Sequence, residues 1–312
     1  YPTTTEEEVD LLLRHSESRF VFAGDLMQFQ KAFSILNKVK SPLKKLIVNY
    51  HVDTGNPGVI SYDELIRLGR RSGRLPEAAR MLRSVTTDDL AALIYTPGTT
   101  GIPKGALLTH GNFLAQRRLL ELFRVTDKDV RLAHLPFSHV FGLSADLFSA
   151  VVTGSLLCIM KSFETEEVLE YIREVRPTII CSVPHMYEKI CVNVIQGLQQ
   201  YGWMRRSLAT LAMKVGRGHY IARTSGRRAP LAIGLAKKLL YPQLRRIRSS
   251  LGMGRMRILV SGGGPLPLEI AYFFGGIGLP VTEGYGLTET APIINVNRLE
   301  LNKPGTVGPP LD

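Results

Sequence analysis

Apolar positions along the chain recur with two periods, one helical and one alternating, and the switches between them lay out a succession of helices and strands. Thr5 and Glu8 have the spacing of a capping box, which opens a helix running to about Arg14. Residues 19–23 read as a short apolar strand, 27–36 as a helix and 45–50 as a second strand. Gly55-Asn56-Pro57-Gly58 is turn chemistry, after which Ser61 and Glu64 cap another helix. Residues 69–76, rich in Gly and Arg, read as a connector. Residues 90–95 form a buried strand, 106–109 a second short strand beyond a Gly/Thr-rich loop, and 112–123 a helix.

The apolar stretch 147–160, broken by Thr153-Gly154-Ser155, reads as a buried hairpin or strand pair. Its 14 residues fall short of the ~20 that cross a bilayer. A helix follows over 166–175, opened by Thr165, then a strand over 178–182 ending at Pro184, and a helix over 186–199. Residues 257–261 form a strand running into Gly262-Gly263-Gly264; 269–274 are helical, and Val281 opens a strand that ends in a loop at Gly284. Such alternation predicts an α/β fold of stacked lobes with largely parallel sheets, and no internal repeat interrupts it.

Composition narrows this picture. With 312 residues, 45% of them apolar and 21% charged, the chain has material for a sizeable core and for about two domains or one large lobed one. General disorder is excluded. The chain opens on Tyr1-Pro2 and an acidic stretch, without a secretory leader and without Met, and so reads as a segment of a longer protein. Cys158, Cys181 and Cys191 are an odd number in apolar surroundings without metal-type spacing, which favours reduced thiols and a cytosolic setting.

Charge changes the picture in one place. The net +12 resides in residues 204–257, where 14 Lys/Arg stand without a single Asp or Glu. The clusters Arg205-Arg206, Arg227-Arg228, Lys237-Lys238 and Arg245-Arg246 with Arg248 alternate with apolar stretches. Three readings stand: a solvated basic face, amphipathic helices at an anionic lipid or other acidic surface, and a nucleic-acid surface. Sparse aromatics, Tyr220 and Tyr241, leave no stacking platform and make nucleic acid the weakest.

The strongest chemical signal is Tyr95-Thr96-Pro97-Gly98-Thr99-Thr100-Gly101-Ile102-Pro103-Lys104-Gly105. Glycines let backbone N–H groups converge on an anion, and hydroxyls with one ammonium add donors for phosphate oxygens. Gly105 after Lys104 excludes a Walker A loop, which needs Ser or Thr there. A second loop, Gly284-Tyr285-Gly286-Leu287-Thr288-Glu289-Thr290, holds one carboxylate among small and hydroxyl residues. A lone carboxylate suits Mg²⁺ shared with substrate phosphates, and Tyr285 offers a face for a base. Ser261-Gly262-Gly263-Gly264-Pro265-Leu266 and Leu135-Pro136-Phe137-Ser138-His139-Val140-Phe141-Gly142 are weaker signals alone: a glycine turn and a single histidine. The other histidines, His15, His51, His110, His134, His185 and His219, read as structural or surface residues.

Together these four segments, in this order, resemble AMP-forming acyl-activating enzymes: acyl-CoA synthetases, luciferases and peptide-synthetase adenylation domains. Pro97 stands where the family usually has Ser or Thr, which removes a phosphate-facing hydroxyl and stiffens the loop, and Gly264 replaces Ala. The resemblance implies that Thr96, Gly98, Thr99, Thr100, Gly101 and Lys104 hold the triphosphate, and that Gly263, Gly264 and Pro265 line the adenine side of the pocket. It gives Tyr285, between Gly284 and Gly286, to adenine, Thr288 to phosphate and acyl oxygens, Glu289 to Mg²⁺ and His139 to positioning the acyl group. Tyr1-Pro2-Thr3, Val183-Pro184-His185-Met186-Tyr187-Glu188-Lys189-Ile190 and the basic insert are closest to long-chain fatty acyl-CoA synthetases.

The implied reaction joins a fatty acid to coenzyme A through an acyl adenylate, with ATP and CoA as co-substrates and Mg²⁺ as cofactor. A carrier-protein acceptor and a non-catalytic nucleotide- or membrane-binding remnant are the alternatives. The resemblance makes residues 1–85 the remainder of a first α/β lobe and 86–312 a second lobe with the phosphate loop, acyl segment, insert (204–257) and adenine/Mg²⁺ loop. It places a ribose-binding Asp, a hinge and a small C-terminal domain with a catalytic Lys beyond Asp312, so that the segment by itself does not complete the reaction. The expected setting is cytoplasmic, with peripheral contact at the inner face of a membrane through the insert.

Overall fold

Local capping works as the sequence spells it. Thr5 Oγ1 accepts from Glu8 N at 3.3 Å and the Glu8 carboxylate accepts from Thr5 N at 2.8 Å, which opens α1 (Glu6–His15). The computed structural model describes residues 4–50, 52, 54–96, 103–161, 165–226 and 229–311. They fall into two compact units, Tyr1–His110 and Gly111–Asp312.

In the first unit, β1 (Phe20–Ala23), α2 (Leu26–Leu36), β2 (Lys45–Val48) and β3 (Val59–Ser61) build a three-stranded parallel sheet in the order β1-β2-β3. Ala23, Leu46 and Val48 pack on Phe29 and Ala32 of α2. Ser61 Oγ accepts from Glu64 N at 3.1 Å to begin α3 (Tyr62–Arg71). The expected connector over 69–76 is mostly helix: α3 continues through Gly69, and α4 (Leu75–Ser84) starts with Pro76 in its first turn, where a missing N–H leaves no bond unmade. β4 (Leu90–Thr96) and β5 (Lys104–Thr109) form an antiparallel hairpin.

The second unit carries the larger sheet. The helix expected over 112–123 is two, α5 (His110–Ala115) and α6 (Arg117–Leu122), parted at Gln116. β6 (Val130–Ala133) leads to α7 (Val140–Gly142), a π-helical turn (Leu143–Phe148) and α8 (Ser149–Thr153), and only then to β7 (Leu156–Ile159). The hairpin expected over 147–160 is therefore helix followed by strand, ended by Gly154 at φ +69°. A short continuous apolar run does not separate a buried helix from a strand; the left-handed glycine decides it here.

There follow α9 (Thr165–Val175), β8 (Ile179–Ser182), α10 (Pro184–Gln199), α11 (Trp203–Thr224), α12 (Leu231–Ser250), β9 (Ile258–Ser261), α13 (Leu268–Gly276), β10 (Val281–Gly286) and β11 (Ile293–Val296). The strand order is β11-β10-β9-β8-β6-β7, parallel except where β11 joins β10. Side-chain alternation splits the core across the sheet. Leu132, Ile180, Leu259 and Val281 face α9 to α13, whereas Ile179, Cys181, Ile258 and Val260 face α6 and the helix start at Phe141.

Most of the basic insert is α11 and α12. Ala209, Ala212 and Tyr220 of α11, with Leu240, Leu244 and Ile247 of α12, are buried, so part of its apolar content serves packing. Among the described residues no helix is long and apolar enough to cross a membrane. Cys158, Cys181 and Cys191 are free.

One polar clamp ties the strand starts together. Asp129, before β6, accepts from Arg257 Nε at 2.8 Å, Thr178 Oγ1 at 2.7 Å and Thr126 N at 2.9 Å. Burial raises its carboxyl pKa, but the bonds from Arg257, Thr126 and Thr178 outweigh burial and hold it at about 2. A carboxylate depressed in the folded state contributes stability above its unfolded pKa of ~3.9 and loses it as pH falls through the folded value. Asp129→Asn is therefore expected to lower the urea midpoint at pH 7 by an amount equivalent to at most about 2 kcal/mol, with partial exposure of Arg257 screening the pair. The wild-type advantage shrinks between pH 4 and pH 2; a constant difference across that window contradicts the assignment.

Candidate functional site

In the first unit the phosphate-loop candidates are carried by the β4–β5 hairpin. Thr96 and Lys104 are cross-strand partners at its end, and Thr96 Oγ1 donates to Lys104 O at 3.4 Å. Lys104 is exposed and has no carboxylate partner among the described residues. A Cβ at Gly105 would fall 2.7 Å from Leu93 Cδ1, so a larger residue there would need the leucine to turn aside. Pro97, Gly98, Thr99, Thr100 and Gly101 lie outside the described residues.

In the second unit the remaining candidates gather along the carboxyl edge of the parallel strands, where α/β sheets place their ligands. Gly262 N donates to Ser182 O at 3.0 Å, which carries the chain from β9 past the end of β8. Gly263 has φ +80°, and Gly263, Gly264 and Pro265 are exposed. A Cβ at Gly264 would meet Pro184 Cγ at 3.8 Å, an ordinary contact, so alanine fits there equally well.

The His139 segment reaches the same edge. A Cβ on Gly262 would lie 3.2 Å from the Phe141 ring and 3.7 Å from Gly284 O, which places the start of α7 against both glycine turns. His139 caps that helix, its Nδ1 accepting from Phe141 N at 3.1 Å. Desolvation by the surrounding protein lowers the pKa of the ring, so it is neutral at pH 7. With Nδ1 accepting, the proton of the neutral ring is on Nε2, which is left to donate to an oxygen.

The loop after β10 is built around a bulge between Tyr285 and Gly286. Gly286 is required there: a Cβ would lie 1.8 Å from Pro292 O. Tyr285 is 48% exposed. Thr288, Glu289 and Thr290 form one 3₁₀ turn, with Thr290 Oγ1 accepting from Leu287 N at 2.9 Å. Thr288 is half-buried, while Glu289 is exposed and has no hydrogen-bond or ion-pair partner among the described residues.

Three residues that sequence reasoning passed over hold these turns. The Gln116 side chain donates to Thr290 O and Ile293 O and accepts from Ile293 N, each at 3.3 Å. Ser144 Oγ donates to Ala291 O at 2.9 Å. Glu283 is buried, with Oε2 accepting from Leu266 N at 3.2 Å and Oε1 from Gly305 N at 3.1 Å. That carboxylate fastens the Gly262–Leu266 turn to the Gly284 loop. An acidic residue inside an apolar strand was the one available signal for it; Gln116 and Ser144 gave none.

This edge presents an exposed carboxylate, a threonine hydroxyl, a histidine Nε2 and an exposed glycine turn. Among the described residues no three His, Cys, Asp or Glu side chains cluster to hold a metal by themselves. A free carboxylate beside a hydroxyl is instead a hard-oxygen donor pair that fits an ion completing its shell with phosphate oxygens and water.

The family model described as AMP-binding enzyme matches residues 1–312. Human long-chain-fatty-acid–CoA ligase ACSBG2 is 28% identical over 98% of this chain and 46% of its own length. The chloroplastic long-chain-fatty-acid–[acyl-carrier-protein] ligase AEE15 of Arabidopsis thaliana is 29% identical, again over 98% of this chain and 46% of that protein. The chain thus spans about half the length of these relatives. Among solved structures, a benzoate CoA ligase from Burkholderia xenovorans LB400 superposes with a TM-score of 0.62 at 19% identity, over 99% of this chain and 49% of that one. Apo MatB from Rhodopseudomonas palustris gives 0.61 at 23% identity, over 99% and 48%.

Proposed function

The chain belongs to the AMP-binding enzyme family, and from that premise we propose that it supplies the nucleotide- and acyl-binding part of an enzyme that activates a long-chain fatty acid as an acyl adenylate and passes the acyl group to coenzyme A. The observation that carries the reading is the carboxyl edge of the sheet, where Glu289, without a partner among the described residues, stands on a turn fixed by Gln116 and Ser144, with His139 Nε2 free to donate.

In the first step a carboxylate oxygen bonds to the α-phosphorus of ATP as the bond to the pyrophosphate oxygen breaks. In the second the thiol sulfur of CoA bonds to the acyl carbon, AMP leaves with its phosphate oxygen, and the thiol proton passes to solvent. Both steps depend on placement and charge neutralisation more than on covalent participation of the protein. The Lys104 ammonium, the hydroxyls of Thr96, Thr99 and Thr100, and backbone N–H groups at Gly98 and Gly101 bind the triphosphate. Tyr285, Gly263, Gly264 and Pro265 bind the adenine, with Gly284 and Gly286 letting the 292–296 segment pass close by Tyr285. His139 and Thr288 orient the carboxylate. Glu289 would hold Mg²⁺, whose contribution is to neutralise charge on the phosphate oxygens.

ATP–pyrophosphate exchange driven by a long-chain fatty acid tests the first step in the intact protein, and acyl transfer to CoA against a carrier protein tests the second. Exchange with transfer only to the carrier redirects the acceptor, as the name of the Arabidopsis relative suggests; no exchange leaves a nucleotide-binding remnant. A second reading concerns location: cytoplasmic, with peripheral contact to anionic membrane. Leu231, Leu235 and Leu239 form a stripe along α12, 87%, 69% and 81% exposed, beside the exposed Lys238. Apolar side chains next to an exposed cation suit an anionic interface. Salt-sensitive sedimentation with anionic but not zwitterionic vesicles supports that contact, and equal binding to both refutes it.

A further inference from the structure

The basic insert has a second feature, on the half of α12 that follows the leucine stripe. A groove of about 610 Å³ runs between α10, α11 and the end of α12. That volume falls in the ~300–1,000 Å³ range of small-molecule sites. Its lining is mixed: Val194 and Leu198 of α10, Ala209 of α11 and Ile247 of α12 are apolar and buried, and Asn193, Gln243 and Ser250 are polar.

Arg173, Arg205 and Arg246 line the same groove, and no Asp or Glu does. Arg173 and Arg205 have no hydrogen bond or ion pair among the described residues, and the one bond of Arg246 is from Nη1 to Gln243 Oε1 at 3.4 Å. These three exposed guanidinium groups give one cavity a net positive charge, and guanidinium binds carboxylate in a bidentate fork. A bare inorganic anion would leave the apolar residues uncovered, and a neutral hydrocarbon would leave the cations unpaired. The ligand that satisfies both halves has one anionic head and one long chain.

We infer that this groove binds a long-chain carboxylate as a monomer, head at the arginines and chain along the apolar residues. The groove shares no residue with the turns after β9 and β10 and needs no nucleotide. Choosing a fatty carboxylate rather than another single-chain anion rests on the acyl-activation reading; the preference for an anionic chain does not.

The protein reports on this site by itself. Trp203 is its one tryptophan, is 73% exposed at the start of α11, and lies between Tyr201 and Arg205, both of which line the groove. Oleate, titrated below its micelle concentration into the intact protein without ATP, is expected to change Trp203 emission saturably. Arg205→Gln with Arg246→Gln weakens that binding at least tenfold with an unchanged circular dichroism spectrum, and oleyl alcohol and inorganic phosphate each bind at least tenfold more weakly than oleate. Equal affinity for oleyl alcohol, unchanged affinity in the double variant, or a response only to anionic vesicles overturns the inference. If exchange fails in the wild type while oleate still binds with this arginine dependence, acyl activation falls and the groove stands.

Discussion

Lys104→Ala is expected to lower fatty-acid-dependent ATP–pyrophosphate exchange in the intact protein at least tenfold. A close charge-assisted hydrogen bond is worth ~1.5–3 kcal/mol, which is roughly ten- to more than a hundredfold in rate or affinity. The position isolates that term well. Lys104 is exposed and unpaired among the described residues, and what it gives the hairpin comes from its backbone, opposite Thr96. Alanine therefore removes the ammonium while leaving β4 and β5 paired, and thermal stability should hardly change. Lys104→Arg keeps the charge on a wider, planar head and should recover part of the loss. Exchange at the wild-type rate in Lys104→Ala removes the residue from the triphosphate.

Glu289→Gln comes next in size. The amide matches the carboxylate in shape but cannot draw a divalent cation by charge, so exchange should fall at least tenfold at low Mg²⁺ and partly recover as Mg²⁺ is raised. Because Glu289 is exposed and has no partner among the described residues, the substitution breaks no bond of the fold. Its effect on stability should stay within about 0.5 kcal/mol, so a loss of exchange cannot be ascribed to unfolding. A Mg²⁺ titration that superimposes on the wild-type curve rejects the metal assignment.

What the sequence disclosed and what it hid divide along the range of the forces involved. The capping pairs at Thr5–Glu8 and Ser61–Glu64 and the buried strands at 179–182 and 258–261 were legible because each is decided within a few residues. The two candidate loops stood out because each concentrates glycines, hydroxyls and a single charge within a few residues, whatever the rest of the chain does. β3 is three residues long and β11 is an edge strand, so neither carries enough pattern to stand out. Gln116 was illegible for a deeper reason: its partners are 174 and 177 residues away, and nothing near it marks an amide as a brace. Glu283 was hidden by its neighbour, since a motif that begins at Gly284 draws attention past the carboxylate that anchors it.

The strand order has a consequence for how such a chain is made. β8 and β9 are hydrogen-bonded neighbours, yet β8 ends at Ser182 and β9 begins at Ile258, with α10, α11 and α12 between them. During synthesis β6, β7 and β8 emerge together, while the strand that covers the open side of β8 is still unmade. All four residues of β8 are buried in the finished sheet, so the nascent chain exposes an unpaired, largely apolar strand edge until the three-helix excursion has returned. Pairing across so long a loop is intrinsically slow. The middle of the sheet, rather than its rim, is thus the place where a growing chain is most open to misassembly and most in need of protection.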